Sequence, residues 1–245
     1  MHGIEATPLG ACREPFSSGS HLLGAIVFAA LTVLLVRRGR GNWRRSLSLA
    51  LLGVSTVSLL TLSSLYHCMW PGPLREFFLR ADVAGIFLLT AGSLTPVHAI
   101  LCRGMSRWLP LTMFWSGAAV GIIHRLAFFD RVSDMGGVLI FLAFGWGAGI
   151  SAVMLWRAYG WQFIQNGIGA GMCYTIGAAI LLLHPPALVP GVIGPHEIWH
   201  ALVLIGLSLH WSFVFQFAHW PMTDDATPAT IAFPQRHERP LRRAA

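Results

Sequence analysis

The chain has 245 residues, of which 55% are hydrophobic and only 11% charged, and its mean hydropathy is +0.62. A soluble domain carries about 25% charged residues, so this composition excludes an ordinary soluble globular protein and indicates an integral membrane protein. The net charge of +7 comes from arginine, which clusters at the ends of apolar runs and in the C-terminal tail. That is the pattern of membrane-flanking charge rather than of nucleic-acid binding.

Residues 1 to about 19 read as a polar tail, with a Ser17-Ser18-Gly19-Ser20 cluster that suits a helix N-cap. Seven apolar runs follow. Span 1 covers roughly His21 to Val36 and stops at Arg37-Arg38-Gly39-Arg40. The tail lacks a basic region ahead of this run, so an uncleaved first span is expected rather than a signal peptide. Span 2 covers roughly Ser46 to His67 without a charge, and Pro71-Gly72-Pro73 breaks the chain after it. Span 3 runs from about Ala81 to Leu101, with Asp82 at its start, and span 4 from about Trp108 to Ile123. Span 5 covers about Gly136 to Trp156, span 6 about Phe163 to Leu183, and span 7 about His196 to Ala218. Residues 221–245 form a Pro- and Arg-rich tail expected to be disordered.

Each run is near the ~20 residues a helix needs to cross a bilayer. The fold class is therefore all-α, a seven-transmembrane helix bundle over residues 20–220 with antiparallel neighbours. Glycines recur within the runs at 117, 121, 145, 147, 149, 167, 169, 171 and 177, and small residues at such places serve close helix packing in lipid. The arginine count places the N-terminus outside and the C-terminus in the cytoplasm of a multi-pass plasma or inner membrane protein. Cys12, Cys68, Cys102 and Cys173 show no metal-binding spacing, though Cys68 directly follows His67.

Alternate helix ends share one membrane face. His67 ends span 2, Asp82 starts span 3, and His196 and His200 start span 7, so all four fall at one leaflet. His196 and His200 are four apart and share a helix face. Three imidazoles and a carboxylate at one depth can build a Zn2+ site with a position left for water. Ser63 lies one helical turn before His67 and can hydrogen-bond a ligand or that water. For Asp82 alone, capping span 3 competes with a role at the site. The remaining span-end histidines, His21, His98, His124, His184, His210 and His219, read as interfacial polar residues.

His196-Glu197-Ile198-Trp199-His200 matches the HExxH string of zinc peptidases. The acids downstream all lie in the tail, however, and no Asn-Pro-x-x-Asp-Gly-like element follows. Glu197 stands one residue off the histidine face and reads as a helix N-terminal acid.

Taken together, the motifs resemble the haemolysin III and adiponectin/progestin receptor (PAQR) family. Ser63-Ser64-Leu65-Tyr66-His67 is similar to its S-x-x-x-H element. The stretch from Asp82 through Ala91-Gly92-Ser93-Leu94-Thr95-Pro96 is similar to its span-3 element, and His196 to His200 to its H-x-x-x-H element. Glu14 through Gly24 and Gly171 through Gly177 also resemble family segments. The short termini favour the bacterial haemolysin III branch. The resemblance implies that His67, His196 and His200 ligate zinc, that Asp82 contacts the metal through water, and that Ser63 supports the site. It further implies a link to alkaline ceramidases, and so to hydrolysis of a lipid amide. The receptor branch implies a cytoplasmic N-terminus and zinc site, opposite to the arginine count. Val83 and Phe87 depart from the family's His and Tyr, which points to more apolar surroundings for the site.

Four functions follow for comparison: a zinc-dependent lipid-amide hydrolase among membrane lipids, a non-catalytic protein stabilised by zinc, a cytolysin, and a metal transporter. A pore needs a polar-lined lumen, and the spans show no polar stripe. A transporter needs a chain of ligands across the membrane, which His210 and His219 are too sparse to form.

Overall fold

The structure, a computed structural model, describes residues 12–131 and 133–222. The described chain is helical: α1 (Pro15–Arg38), α2 (Trp43–Cys68), α3 (Pro73–Leu101), α4 (Met105–Ala127), α5 (Asp134–Trp146), α6 (Gly149–Tyr159), α7 (Trp161–Leu183) and α8 (Pro195–Phe217), with a 3₁₀ turn at Phe129–Arg131. Six segments are long and apolar enough to cross a membrane, one of them Met135–Tyr159, which joins α5 and α6. α4, with 23 residues and so about 34 Å of helix, is the seventh membrane-length element, less apolar than the others. The protein is a multi-pass membrane helix bundle.

Contacts at the two ends of the bundle show which helix ends lie together. At one end Arg80, near the start of α3, pairs with Asp130 just beyond α4 at 3.1 Å. At the other, Tyr159 at the end of α6 and Phe163 at the start of α7 both pack on Trp220, just past α8. α1 packs on α2, α2 on α3, α3 on α4 and α7 on α8, while α1 and α3 touch α8 to close the group. The interior is filled by fully buried Leu35, Leu49, Leu52, Leu60, Leu207, Trp211, Val214 and Phe217. A second cluster, around Phe87, Ala91, Phe114 and Ala118, joins α3 to α4.

Several expectations are corrected. α1 begins at Pro15, with Glu14 as its N-cap residue, so the Ser17–Ser20 cluster lies inside the helix instead of capping it. Proline is favoured at this first position because its missing N–H would be unpaired there anyway. α3 likewise starts at Pro73, about two turns before the apolar run. Span 5 is one membrane-length segment, Met135–Tyr159, in which the α-helical hydrogen bonding is interrupted at Gly147-Ala148 while both residues keep right-handed helical dihedrals.

Glycine packing holds at Gly117, Gly121, Gly167, Gly169 and Gly177, where an added Cβ would meet a neighbouring helix's side chain, but not at Gly145, Gly149 or Gly171, which face open space. Of the lone histidines, His21, His98 and His210 are buried in the bundle rather than interfacial. His98 contacts Ser106 O and Ser151 Oγ, and His210 contacts Ser93 O. The tail from 223 onward lies outside the described residues.

One buried cation ties the far end of the bundle together. Arg45 donates to the carbonyls of Gly39 and Arg40 after α1, and to those of His219 and Trp220 after α8. Carbonyls at helix C-termini lack intrahelical partners and carry partial negative charge, so one guanidinium satisfies two helix ends.

Candidate metal centre

The N-terminal ends of α1, α3 and α8 meet the C-terminal end of α2 at one side of the bundle. α2 carries His67 in its last turn, and α8 carries His196 and His200 in its first two turns. The three ligand atoms lie within 4.8 Å of one another. Nε2 of His196 is 3.3 Å from Nε2 of His67 and 3.0 Å from Nε2 of His200. With Zn–N bonds of about 2.0–2.1 Å, the edge of a tetrahedral site is roughly 3.4 Å. The cluster thus has the donor set and spacing that a tetrahedral ion requires.

The surroundings also fit a metal. Nδ1 of His67 is hydrogen-bonded to Oε2 of Glu14. An ionised carboxylate only accepts, so the proton sits on Nδ1 and Nε2 presents its lone pair to the other imidazoles. This carboxylate–histidine arrangement is how metal-binding histidines are oriented. Glu14 is held in turn by Arg75, whose Nη2 donates to Oε1 at 2.8 Å. Arg75 also donates to Met69 O and lies over the Tyr66 ring at 4.3 Å. Burial raises the Glu14 carboxyl, but its hydrogen bond with His67 and the Arg75 charge outweigh it and leave the group below its ordinary value. Backbone bonds from Arg13 N to Cys68 O and from Glu14 N to His67 O dock the segment before α1 on the end of α2.

Asp82 lies in α3 and is half-buried, outside the three-histidine group. It stands near Ser63 and His67, close enough for both to act on its carboxylate. The structure therefore brings Ser63, His67, Asp82, His196 and His200 to one place. Glu197 is directed elsewhere: Oε1 accepts from Ser17 Oγ at 3.1 Å and Oε2 from Gly194 N at 2.9 Å. It closes the start of α8 rather than facing the histidines. Phe87 packs on Phe141 and Phe144 of α5, so its departure from Tyr alters the α3–α5 contact and not the surroundings of the histidines.

Sequence reasoning missed two residues here as site elements, Glu14 and His21. Their signal lay in spacing: Glu14, Ser17, Ser18 and His21 follow the i, i+3, i+4, i+7 pattern of one helix face, visible once the helix is extended back to Pro15. Ser18 bonds Ser64 O at 3.0 Å, and His21 stacks on His200 with centroids 3.9 Å apart and planes at 17°. Neither His21 nitrogen has a hydrogen-bond partner, and neither does Nδ1 of His200. Each such buried polar group costs about 1–3 kcal/mol, which marks a place where something else belongs.

The chain also matches known proteins. The family model described as "Haemolysin-III related" matches residues 10–211. The chain belongs to the haemolysin III family. It is 28% identical over 195 residues to Hemolysin-3 of Bacillus cereus, covering 78% of this chain and 84% of that one. It is 24% identical over 189 residues to the Hemolysin-3 homolog of Bacillus subtilis (strain 168), covering 76% and 85%. As a haemolysin III family member, the chain places its three-histidine cluster within the matched region.

Proposed function

We propose that this haemolysin III family protein is a zinc-dependent membrane hydrolase acting on a lipid amide. His67, His196 and His200 hold the metal, Asp82 handles the proton, and Ser63 orients Asp82. The observation that carries the reading is the separation of two carboxylates. Glu14 is committed to a histidine and an arginine, while Asp82 stands near Ser63 and His67, outside the three-histidine group. A site that needed only structural metal would have no use for the second.

Zinc in this site supplies Lewis acidity, polarising a carbonyl and making water nucleophilic near neutral pH. The chain's own groups do the rest. Asp82 accepts the proton of the attacking water and returns it to the departing amine. The Ser63 hydroxyl fixes the carboxylate that does so, and Glu14 keeps the His67 proton on Nδ1. The location at one end of a lipid-embedded bundle supports a substrate whose polar linkage lies near a membrane face. The link to alkaline ceramidases that the motif resemblance implies supports an amide at that linkage.

A second reading, a non-catalytic protein stabilised by zinc, is favoured by one observation: the cluster joins the ends of α2 and α8, which pack mainly on other helices. The relatives' names carry the word haemolysin, but the bundle interior here is leucine, phenylalanine and tryptophan, with no polar lumen among the described residues.

The test is elemental analysis of protein purified in mild detergent, beside the His196→Ala/His200→Ala variant, followed by assay of fatty-acid release from an N-acyl sphingoid lipid in micelles. About one zinc per chain, lost in the variant, together with zinc-dependent release is the expected result. Zinc without release selects the structural reading, and folded wild type without metal overturns both.

A further inference from the structure

Four imidazoles meet at this end of the bundle, not three. His21 is 3% exposed and lies face to face with His200. Through His200 it adjoins the cluster, since the His67 and His196 rings each lie 4.6 Å from the His200 ring. Yet it is not a fourth ligand of the group, whose convergent donor atoms come from the other three. Both of its ring nitrogens are buried without a partner. Apart from His200, whose Nδ1 is also unpaired, the other deeply buried histidines contrast with it: His67, His98 and His210 each bond an oxygen of the chain.

Stacking does not explain a histidine here. A phenylalanine would stack on His200 equally well and bury no polar atom. A neutral imidazole instead offers one N–H donor and one acceptor, and buried polar groups are paired in folded proteins unless a bound molecule is to pair them. A groove lies near it, although neither His21 nor a histidine of the cluster lines that groove. It measures about 420 Å³ and runs between α1 and α8, lined by Ser20, Gly24, Leu204 and Trp211 among others. Ser20 precedes His21 in the chain, and Leu204 lies one turn beyond His200.

We propose that His21 contacts the substrate: its imidazole hydrogen-bonds an oxygen of the ligand that occupies the metal centre, a carbonyl or carboxylate oxygen of the acyl group. This rests on the reading of the three histidines as a metal site. The role differs from those of Asp82 and Ser63, because it selects for an oxygen donor at the metal rather than moving a proton.

The test uses full-length protein loaded with cobalt(II) and titrated with acetohydroxamate, an oxygen-donor probe, with the visible cobalt spectrum as readout. Wild type, His21→Phe and His21→Gln are compared. His21→Phe keeps the stack and removes both nitrogens, whereas His21→Gln keeps a donor and an acceptor. The expected result is one cobalt per chain with the same starting spectrum in all three. Acetohydroxamate affinity then falls about tenfold or more in His21→Phe, the loss of one hydrogen bond in a buried site, and stays within about threefold of wild type in His21→Gln. Equal affinity in His21→Phe and wild type overturns the contact. Loss of cobalt from both variants overturns it too, since His21 would then serve the metal itself. Failure of folded wild type to take up cobalt overturns the underlying metal reading, which separates the two failures.

Discussion

Glu14 and His67 are 53 residues apart in sequence, yet the carboxylate of one holds Nδ1 of the other. That bond fixes the tautomer of His67, and Arg75 fixes the carboxylate. Removing such a partner typically weakens metal affinity 10–100-fold. Glu14→Gln is therefore expected to keep the fold and lose zinc to a competing chelator at about 10–100-fold lower chelator concentration than wild type. Unchanged competition would show that His67 does not depend on Glu14 for its orientation.

Arg75 acts one step further out. Arg75→Met leaves Glu14 its bond to His67 but removes the charge that pins the other carboxylate oxygen. The expected loss of zinc affinity is smaller than for Glu14→Gln, roughly threefold to tenfold, since an outer hydrogen bond to a charged group is worth about 1.5–3 kcal/mol before compensation. A Glu14→Gln/Arg75→Met double variant should lose little more than Glu14→Gln alone, because both changes break one chain of contacts.

Glu197 separates this centre from that of an HExxH peptidase, in which the glutamate is the general base. Here its two oxygens serve Ser17 and the Gly194 N–H. Glu197→Gln is expected to leave zinc content and any turnover within about twofold of wild type, while thermal unfolding in detergent reports a loss of about 1 kcal/mol, the scale of a helix cap. Loss of turnover with zinc retained would restore the peptidase-like role.

The five residues drawn together by spacing alone, Ser63, His67, Asp82, His196 and His200, were legible because membrane crossings impose a strict alternation. Once the spans are counted, every helix end is assigned to a face. Glu14 and His21 were not legible as site residues because polar composition hid the first turn of α1, where the serines look like a cap but in fact pair with Ser64 and Glu197. The interruption at Gly147-Ala148 was hidden for the opposite reason: α5 and α6 are apolar on both sides of it, and hydropathy carries no mark of where an i to i−4 bond is lost.

Arg45 tests the other end of the bundle. It is buried and bonded to four carbonyls beyond α1 and α8. Arg45→Ala leaves those helix ends without a shared partner and is expected to cost roughly 2–4 kcal/mol, read as a lowered unfolding temperature. Zinc content should stay at wild-type level, because the centre lies at the opposite end. Loss of zinc at temperatures where the protein is still folded would mean that the two ends are coupled.

Asp82 carries the sharpest division between catalytic and structural zinc. Its carboxylate stands outside the three-histidine group and near Ser63, so Asp82→Asn should leave about one zinc per chain. An amide cannot accept and return a proton, and general acid–base catalysis contributes about 10²–10⁴-fold, so fatty-acid release should fall by at least about a hundredfold. Ser63→Ala, which frees the carboxylate without removing it, should cost less, about tenfold. Full turnover in Asp82→Asn would end the proton-transfer role. Loss of zinc in that variant would instead place Asp82 among the ligands, and the opposite order of effects between the two variants would assign the chemistry to the serine.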